Sequence, residues 1–207
     1  MEQVLEIYTR CHDVDYPVIC MDETPKQLIG ETKIPLKMQP GQAAKYDYEY
    51  TRNGVANIFM ASEPLAGKRM VSVTETKTKV DWAQFMKEIS DKYPKAKKIT
   101  MVMDNYGTHK IGSFYEIYPP EEAKKLVDRF EIIYTPKHGS WLNMAEIELN
   151  VLQSQCLNRR IQEIETVKKE TAAWVKSRNS KNCTVNWQFT TNDARIKLKR
   201  LYPTIEP

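Results

Sequence analysis

Three acids in this chain stand where their type and spacing could do chemistry: Asp22, Asp104 and Glu146. Asp22 follows the apolar run Val18-Ile19-Cys20-Met21, and Asp104 follows Ile99-Thr100-Met101-Val102-Met103. Continuous apolar runs of this length read as strands buried on both faces. An acid placed directly after such a strand emerges at its C-terminal end, where open α/β sheets place their sites. Glu146 lies in the stretch Tyr134–Asn150, which passes from a Pro- and Gly-containing loop into an apolar, helix-permissive run with Ser140 as the expected N-cap. Two strands and a helix delivering three carboxylates to one place require a compensating cation. Oxygen-only sites suit Mg²⁺ or Mn²⁺, and a pair of such ions can activate water and stabilise a leaving oxygen in phosphodiester cleavage.

The neighbouring residues set alternatives beside that reading. At about 100° per residue Glu146 shares a side of its helix with Asn143 and Asn150, whereas Glu148 is turned about 200° away, between Met144 and Leu152. The two cannot serve one site, so Glu146 is the assigned acid and Glu148 the fallback. Glu23 points to the opposite face of its strand from Asp22 and reads as an outward neighbour. Asn105, His109, Lys137 and His138 are candidates to orient substrate or contact phosphate, as is Lys110. Each is also compatible with an ordinary loop or surface role, and imidazole could instead be a metal ligand. Trp141 and Trp174 read as core anchors. Arg159, Arg160, Lys197, Lys199 and Arg200 are the candidates for binding a nucleic-acid backbone.

The words around the acids are more specific than the acids themselves. Met21-Asp22-Glu23-Thr24, Asp104-Asn105-Tyr106-Gly107-Thr108-His109 and Leu142-Asn143-Met144-Ala145-Glu146 resemble DDE transposases, in particular bacterial insertion-sequence enzymes of the mariner-type superfamily. Met144-Ala145 replaces the Pro-Ile of the family's usual third word. The separation from Asp104 to Glu146, 42 positions, is longer than is usual there, and a loop or helix over 119–128 can absorb the difference. The resemblance runs from about Glu6 to Pro203. It implies an RNase H-like α/β fold, a mixed five-stranded sheet with helices on both faces. It further implies that Asp22, Asp104 and Glu146 hold two Mg²⁺ (or Mn²⁺) ions. Cleavage and strand transfer at transposon ends, double-stranded DNA as partner (ends and target), insertion at TA dinucleotides and a homodimer as the active form follow from it. The family also carries a clamp-like loop between the first two strands, which corresponds here to 24–53.

The elements that must position these acids follow from pattern. A helix over Gln3–His12 precedes the first strand, and Thr24–Asn53 lacks periodicity. Val55–Ala61 and Met70–Thr74 form a hairpin, preceded by a turn at Arg52-Asn53-Gly54. Thr78-Lys79-Val80-Asp81 is a capping box for a helix with Trp82, Phe85, Met86 and Ile89 on one face. After the Asp104 strand come helices over Ile111–Tyr118 and Pro120–Arg129, a strand over Phe130–Tyr134 and a helix over Ser140–Leu157. A further helix starts at Ile164 and ends near Asn179, Val185–Phe189 is ambiguous, and Asp193–Leu201 is a short basic helix. The organisation is therefore 1–23 (first helix and strand), 24–53 (inserted loop), 54–160 (remainder of the catalytic core) and 161–207 (basic helical part).

The chain has 207 residues, 41% of them hydrophobic and 28% charged, enough for a core of ordinary globular type. It shows no run long enough to span a membrane, no signal-peptide centre and no CxxC pair among its four cysteines. A reduced, cytoplasmic protein, nucleoid-associated when on DNA, is the corresponding expectation. Between Gln153 and Leu201 eleven Lys and Arg face four acids, so the net charge of +4 conceals a basic C-terminal part and an acidic remainder. That division suits an enzyme holding metal in one place and phosphate in another. With one helix before its first strand, the chain leaves no room for an N-terminal helix-turn-helix and reads as a catalytic-domain fragment or one product of a split frame. Two other readings remain open: a silent DNA-binding or dimerising remnant, and a general RNase H-like nuclease.

Overall fold

The computed structural model describes residues 1–137 and 139–202; His138 and 203–207 lie outside the described residues. Its centre is a mixed five-stranded sheet ordered β3-β2-β1-β4-β5. The strands are β1 (Val18–Glu31), β2 (Tyr50–Glu63), β3 (Lys68–Thr74), β4 (Ile99–Met103) and β5 (Phe130–Tyr134). β1, β2 and β3 pair antiparallel, whereas β4 runs parallel to both β1 and β5. The apolar runs before Asp22 and Asp104 are adjacent parallel strands, with Val18–Cys20 against Thr100–Val102.

Helices cover both faces. α2 (Lys79–Lys92), α3 (Gly112–Ile117) and α4 (Pro120–Arg129) enclose Ile19, Met21, Phe59, Met101 and Met103. α1 (Glu2–Tyr8), α5 (Ala145–Leu152), α6 (Ile164–Ser180) and α7 (Thr191–Lys197) lie over residues of opposite parity, among them Cys20, Val102, Ile58 and Met60. α2 begins as its sequence requires: Thr78 and Asp81 form the reciprocal capping box, and Trp82, Phe85, Met86 and Ile89 are buried.

Three local expectations are corrected. The stretch 24–53 is not one loop: β1 continues to Glu31 and β2 begins at Tyr50, so a strand-paired arm extends beyond the end of β4. Bridges Leu36–Lys45 and Gln39–Gln42 continue its ladder toward the tip. Long polar strands escape a search for apolar alternation, because little of such an arm meets a core: Leu28 near its base is buried, and the large apolar side chains toward its tip are exposed. Arg52-Asn53-Gly54 is a bulge inside β2 and not a turn: Asn53 and Gly54 stand against the single residue Leu28, with Gly54 at φ +108°. The helix expected over Ser140–Leu157 breaks into a 3₁₀ turn (Ser140–Leu142), α5 and a π-helical turn (Gln153–Leu157). Ser140 does not cap α5. Asn143 does, its backbone extended and its Oδ1 accepting from Ala145 N at 3.1 Å. Val185–Phe189 forms no regular element; Trp187 packs on Tyr8 of α1, ring centroids 5.2 Å apart.

Candidate active site

Parity along β1 decides where its two acids point. Asp22 follows Met21 on the face that α5 covers, and Glu23 falls on the α2 face. Asn143, 1% exposed, closes α5 onto β1 by donating its Nδ2 to Met21 O at 2.7 Å and, at 3.3 Å, to Asp22 Oδ2. The other oxygen, Asp22 Oδ1, accepts from Glu23 N at 2.8 Å. Burial first, then the charges of Glu23, Asp104 and Glu146, push the Asp22 carboxyl up to about 7 against the single backbone hydrogen bond that lowers it. Asp22 thus feels both other acids of the sequence reading. Glu146, in the first turn of α5, is partly exposed.

Asp104 leaves the end of β4 and is held by His109. Nδ1 of that ring lies 2.7 Å from Asp104 Oδ1, and the imidazole is fully buried. Its Nε2 is 3.1 Å from Glu23 Oε2 but off the axis of an aligned hydrogen bond, so charge joins these two. Lys77 Nζ closes the chain at 3.2 Å from Glu23 Oε1 and sits 4.3 Å from the centroid of the Tyr106 ring. Burial disfavours the imidazolium, yet Asp104 and Glu23 together raise His109 to about 9. Burial likewise raises Asp104, but His109, then the backbone N–H of Tyr106 and the charge of Lys77, bring it below the usual carboxylate range. Two expectations change here. His109 is enclosed between two acids and stacked on Trp82, where no phosphate can reach it. Glu23 is not an outward residue, since its side chain is 4% exposed. The alternation rule gave its face correctly and missed that the α2 side supplies a buried cation.

Glu146 and Glu148 separate sharply. Glu148 is 1% exposed and receives two guanidinium forks, Arg69 at 2.8 and 2.8 Å and Arg178 at 2.7 and 3.0 Å. Burial would raise its carboxyl, but the forks of Arg178 and Arg69 hold it below the usual range. With both oxygens saturated, Glu148 has no lone pair to offer a metal.

Beside Asp104 opens a cleft of about 520 Å³ lined by Asn105, Tyr106, Thr135, Pro136, Lys137 and Ser140. Asn105 and Lys137 therefore border one of the acids; Lys110 is exposed on the following loop, and His138 lies outside the described residues. The basic candidates are dispersed. Arg159 pairs with Glu170 at 3.0 Å and Arg160 with Glu31 at 2.6 Å, while Lys197 pairs with Asp193 at 3.1 Å. Lys199 and Arg200 are exposed in a 3₁₀ turn. Trp141 is 43% exposed and not a core anchor, whereas Trp174 packs against the cluster around Leu149 and Leu152. A larger cleft of about 620 Å³ lies away from the acids, between the arm and the start of α6.

The donor set of Asp22, Asp104 and Glu146 is all oxygen and mutually repelling, which fits a hard divalent cation. Among the described residues no three His, Cys, Asp or Glu side chains are gathered closely enough to cage an ion.

A family model described as DDE superfamily endonuclease matches residues 17–168. The fold is similar to the Mos1 mariner paired end complex with Mn (TM-score 0.55, 16% identity) and the Mos1 Strand Transfer Complex (0.60, 15%). It is also similar to the mariner Mos1 paired end complex with Mg (0.53, 15%). Each similarity covers 88% of this chain and between 54% and 60% of the other, so this chain spans just over half the length of those proteins. The shared architecture is the RNase H-like one expected from sequence. No curated protein matches the chain.

Proposed function

Because this chain belongs to the DDE superfamily endonucleases, we propose that it is a DNA transposase catalytic domain that cuts at transposon ends and transfers the strand. Asp22, Asp104 and Glu146 are its catalytic acids. The observation that carries the reading is the convergence of Asp22 on β1 with Asp104 at the end of the adjacent parallel strand β4, beside the first turn of α5, which bears Glu146 and is bonded to β1 through Asn143. Carboxylates brought together in this way repel one another, and a divalent cation compensates them.

Bound at these acids, Mg²⁺ or Mn²⁺, two ions in this reading, would activate the attacking hydroxyl and stabilise the leaving oxygen. The protein's own groups supply the rest. Asn143 fixes the Asp22 carboxylate from the α5 side. His109 engages one oxygen of Asp104, which lines the cleft. Asn105 and Lys137 on the cleft wall are placed to donate to phosphate oxygens. The arm 24–53 reaches a second copy or DNA, and the active form is a homodimer on double-stranded DNA. The exposed Lys199 and Arg200 contact the backbone outside the site, with Lys197, Arg159 and Arg160 contributing once their acidic partners are exchanged for phosphate.

The test is Mn²⁺-dependent nicking of supercoiled plasmid. Asp104→Asn and Glu146→Gln should each lose at least about a hundredfold in rate, while Glu121→Gln on the exposed face of α4 keeps it. Nicking that survives Glu146→Gln would overturn the assignment.

A further inference from the structure

The buried charge cluster on α5 has no place in the chemistry above. Glu148 is reached from two elements, by Arg69 of edge strand β3 and by Arg178 near the end of α6. Arg69 is itself fastened: Nη1 donates to Gly67 O at 2.7 Å and Nη2 to Cys183 O. The Asn179 side chain pairs with both backbone groups of Arg69, at 2.8 and 2.9 Å, as a neighbouring strand would. The β2–β3 turn is pressed against the chain after α6, since a Cβ on Gly67 would come within 2.7 Å of Asn182 C. Val185 N donates to Pro64 O at 2.9 Å in the same seam.

An edge strand, a turn and the end of a helix thus converge on one carboxylate two residues from Glu146. Hydrophobic contact alone would let α5 slide or rotate on the sheet, because apolar packing is non-directional. Bidentate guanidinium–carboxylate pairs are directional. The entry to α5 is fixed by Asn143 and the end of its first turn, at Glu148, by this double fork. Two fixed points determine both the rotation of a short helix and its translation.

We propose that Arg178 and Arg69 are positioning residues that set the seat of α5 through Glu148, and thereby aim Glu146 at Asp22 and Asp104. The inference rests on the reading of Glu146 as a catalytic acid. It makes the end of α6, beyond the residues 17–168 that the family model matches, part of the active-site framework.

The experiment compares Arg178→Lys, which keeps the charge and loses the fork, with Thr171→Ala, which loosens the buried side of α6 and makes no hydrogen bond to Arg69, Arg178 or Glu148. Calorimetric Mn²⁺ binding, plasmid nicking and hydrogen exchange are measured on both. Arg178→Lys should weaken Mn²⁺ binding and lower kcat about tenfold each, with KM for DNA within about twofold. It should also speed exchange of α5 amides about tenfold relative to β4, and Thr171→Ala should change none of these although its melting temperature falls comparably. Parallel losses in the two variants would reduce the fork to general stability and overturn the proposal, as would an unchanged Arg178→Lys. Should that variant fail to fold, Glu148→Gln gives the same readings at nearly constant volume. A wild type that neither binds Mn²⁺ nor nicks would refute the catalytic reading instead, and the α5 exchange pattern would still decide whether the fork seats the helix.

Discussion

Glu146 and Glu148 are two residues apart and have opposite fates, and the difference predicts opposite phenotypes. Glu146 is partly exposed and receives no hydrogen bond among the described residues, so Glu146→Gln should leave chemical-denaturation stability within about 0.5 kcal/mol while abolishing nicking. Glu148→Ala strands two guanidinium groups, one of them fully buried, and should cost about 3–5 kcal/mol. Asp22 gives the pH dependence. Its folded pKa, near 7, lies above its ordinary value, so the native state keeps a proton that the unfolded chain releases. Without metal, that contribution to stability is complete below about pH 4 and is lost as pH rises toward 7. Asp22→Asn, which cannot ionise, should therefore flatten the stability–pH curve and exceed wild type by about 1–3 kcal/mol at pH 8. Because Asp104, Glu148 and His109 also titrate with folding, the test is the difference between wild type and Asp22→Asn, and a difference that rises between pH 4 and 7 would contradict the burial argument. Added Mn²⁺ should reverse the slope, because cation binding favours the ionised carboxylate.

Elements were legible where local chemistry is self-contained. The Thr78–Asp81 capping box, α4 starting at Pro120 and strands β4 and β5 each carry a signal that tertiary context does not alter. Thr78→Ala should cost about 1 kcal/mol, measurable as an earlier urea midpoint with an unchanged slope. The start of α5 was misread because Ser140 and Asn143 are both good caps, and sequence alone cannot tell which one's backbone is extended. Asn143 prevails because its Nδ2 also reaches Met21 O, a partner 122 residues away in sequence. Its removal should therefore cost more than a cap. Asn143→Ala loses the bond to Ala145 N and leaves a buried carbonyl unpaired, about 2–3 kcal/mol in thermal unfolding. His109 was misassigned for a similar reason. The word Asp104–His109 fixes five residues of spacing, whereas the acid that encloses the ring on its other side, Glu23, comes from a different strand.

At the scale of the whole molecule, the mixed five-stranded sheet follows from the resemblance carried by the words around the acids, and the convergence of two strand ends beside a helix from the apolar runs, whereas chain order alone does not give the strand order. The arm could not be anticipated, because its stability owes nothing to periodic apolar burial. Ile34, Leu36, Met38, Tyr46 and Tyr48 are between 65% and 93% exposed, an unusual concentration of large apolar side chains on a polar hairpin. Such a tip contributes little to folding the monomer, since burial is what makes those side chains stabilising. What holds the arm lies nearer its base: Arg160 pairs with Glu31 and stacks on Tyr50 at 5.5 Å, and Lys26 Nζ donates to Leu157 O at 2.6 Å. Replacing 34–47 by a two-residue Asn-Gly turn should accordingly leave the melting temperature within about 3 °C. If the arm engages a second copy or DNA as proposed, the same deletion should abolish the DNA-bound dimer in sedimentation while Mn²⁺ binding persists. A large fall in melting temperature would mean that the tip folds back on its own core, and a dimer that survives the deletion would place the contact between copies elsewhere on the surface.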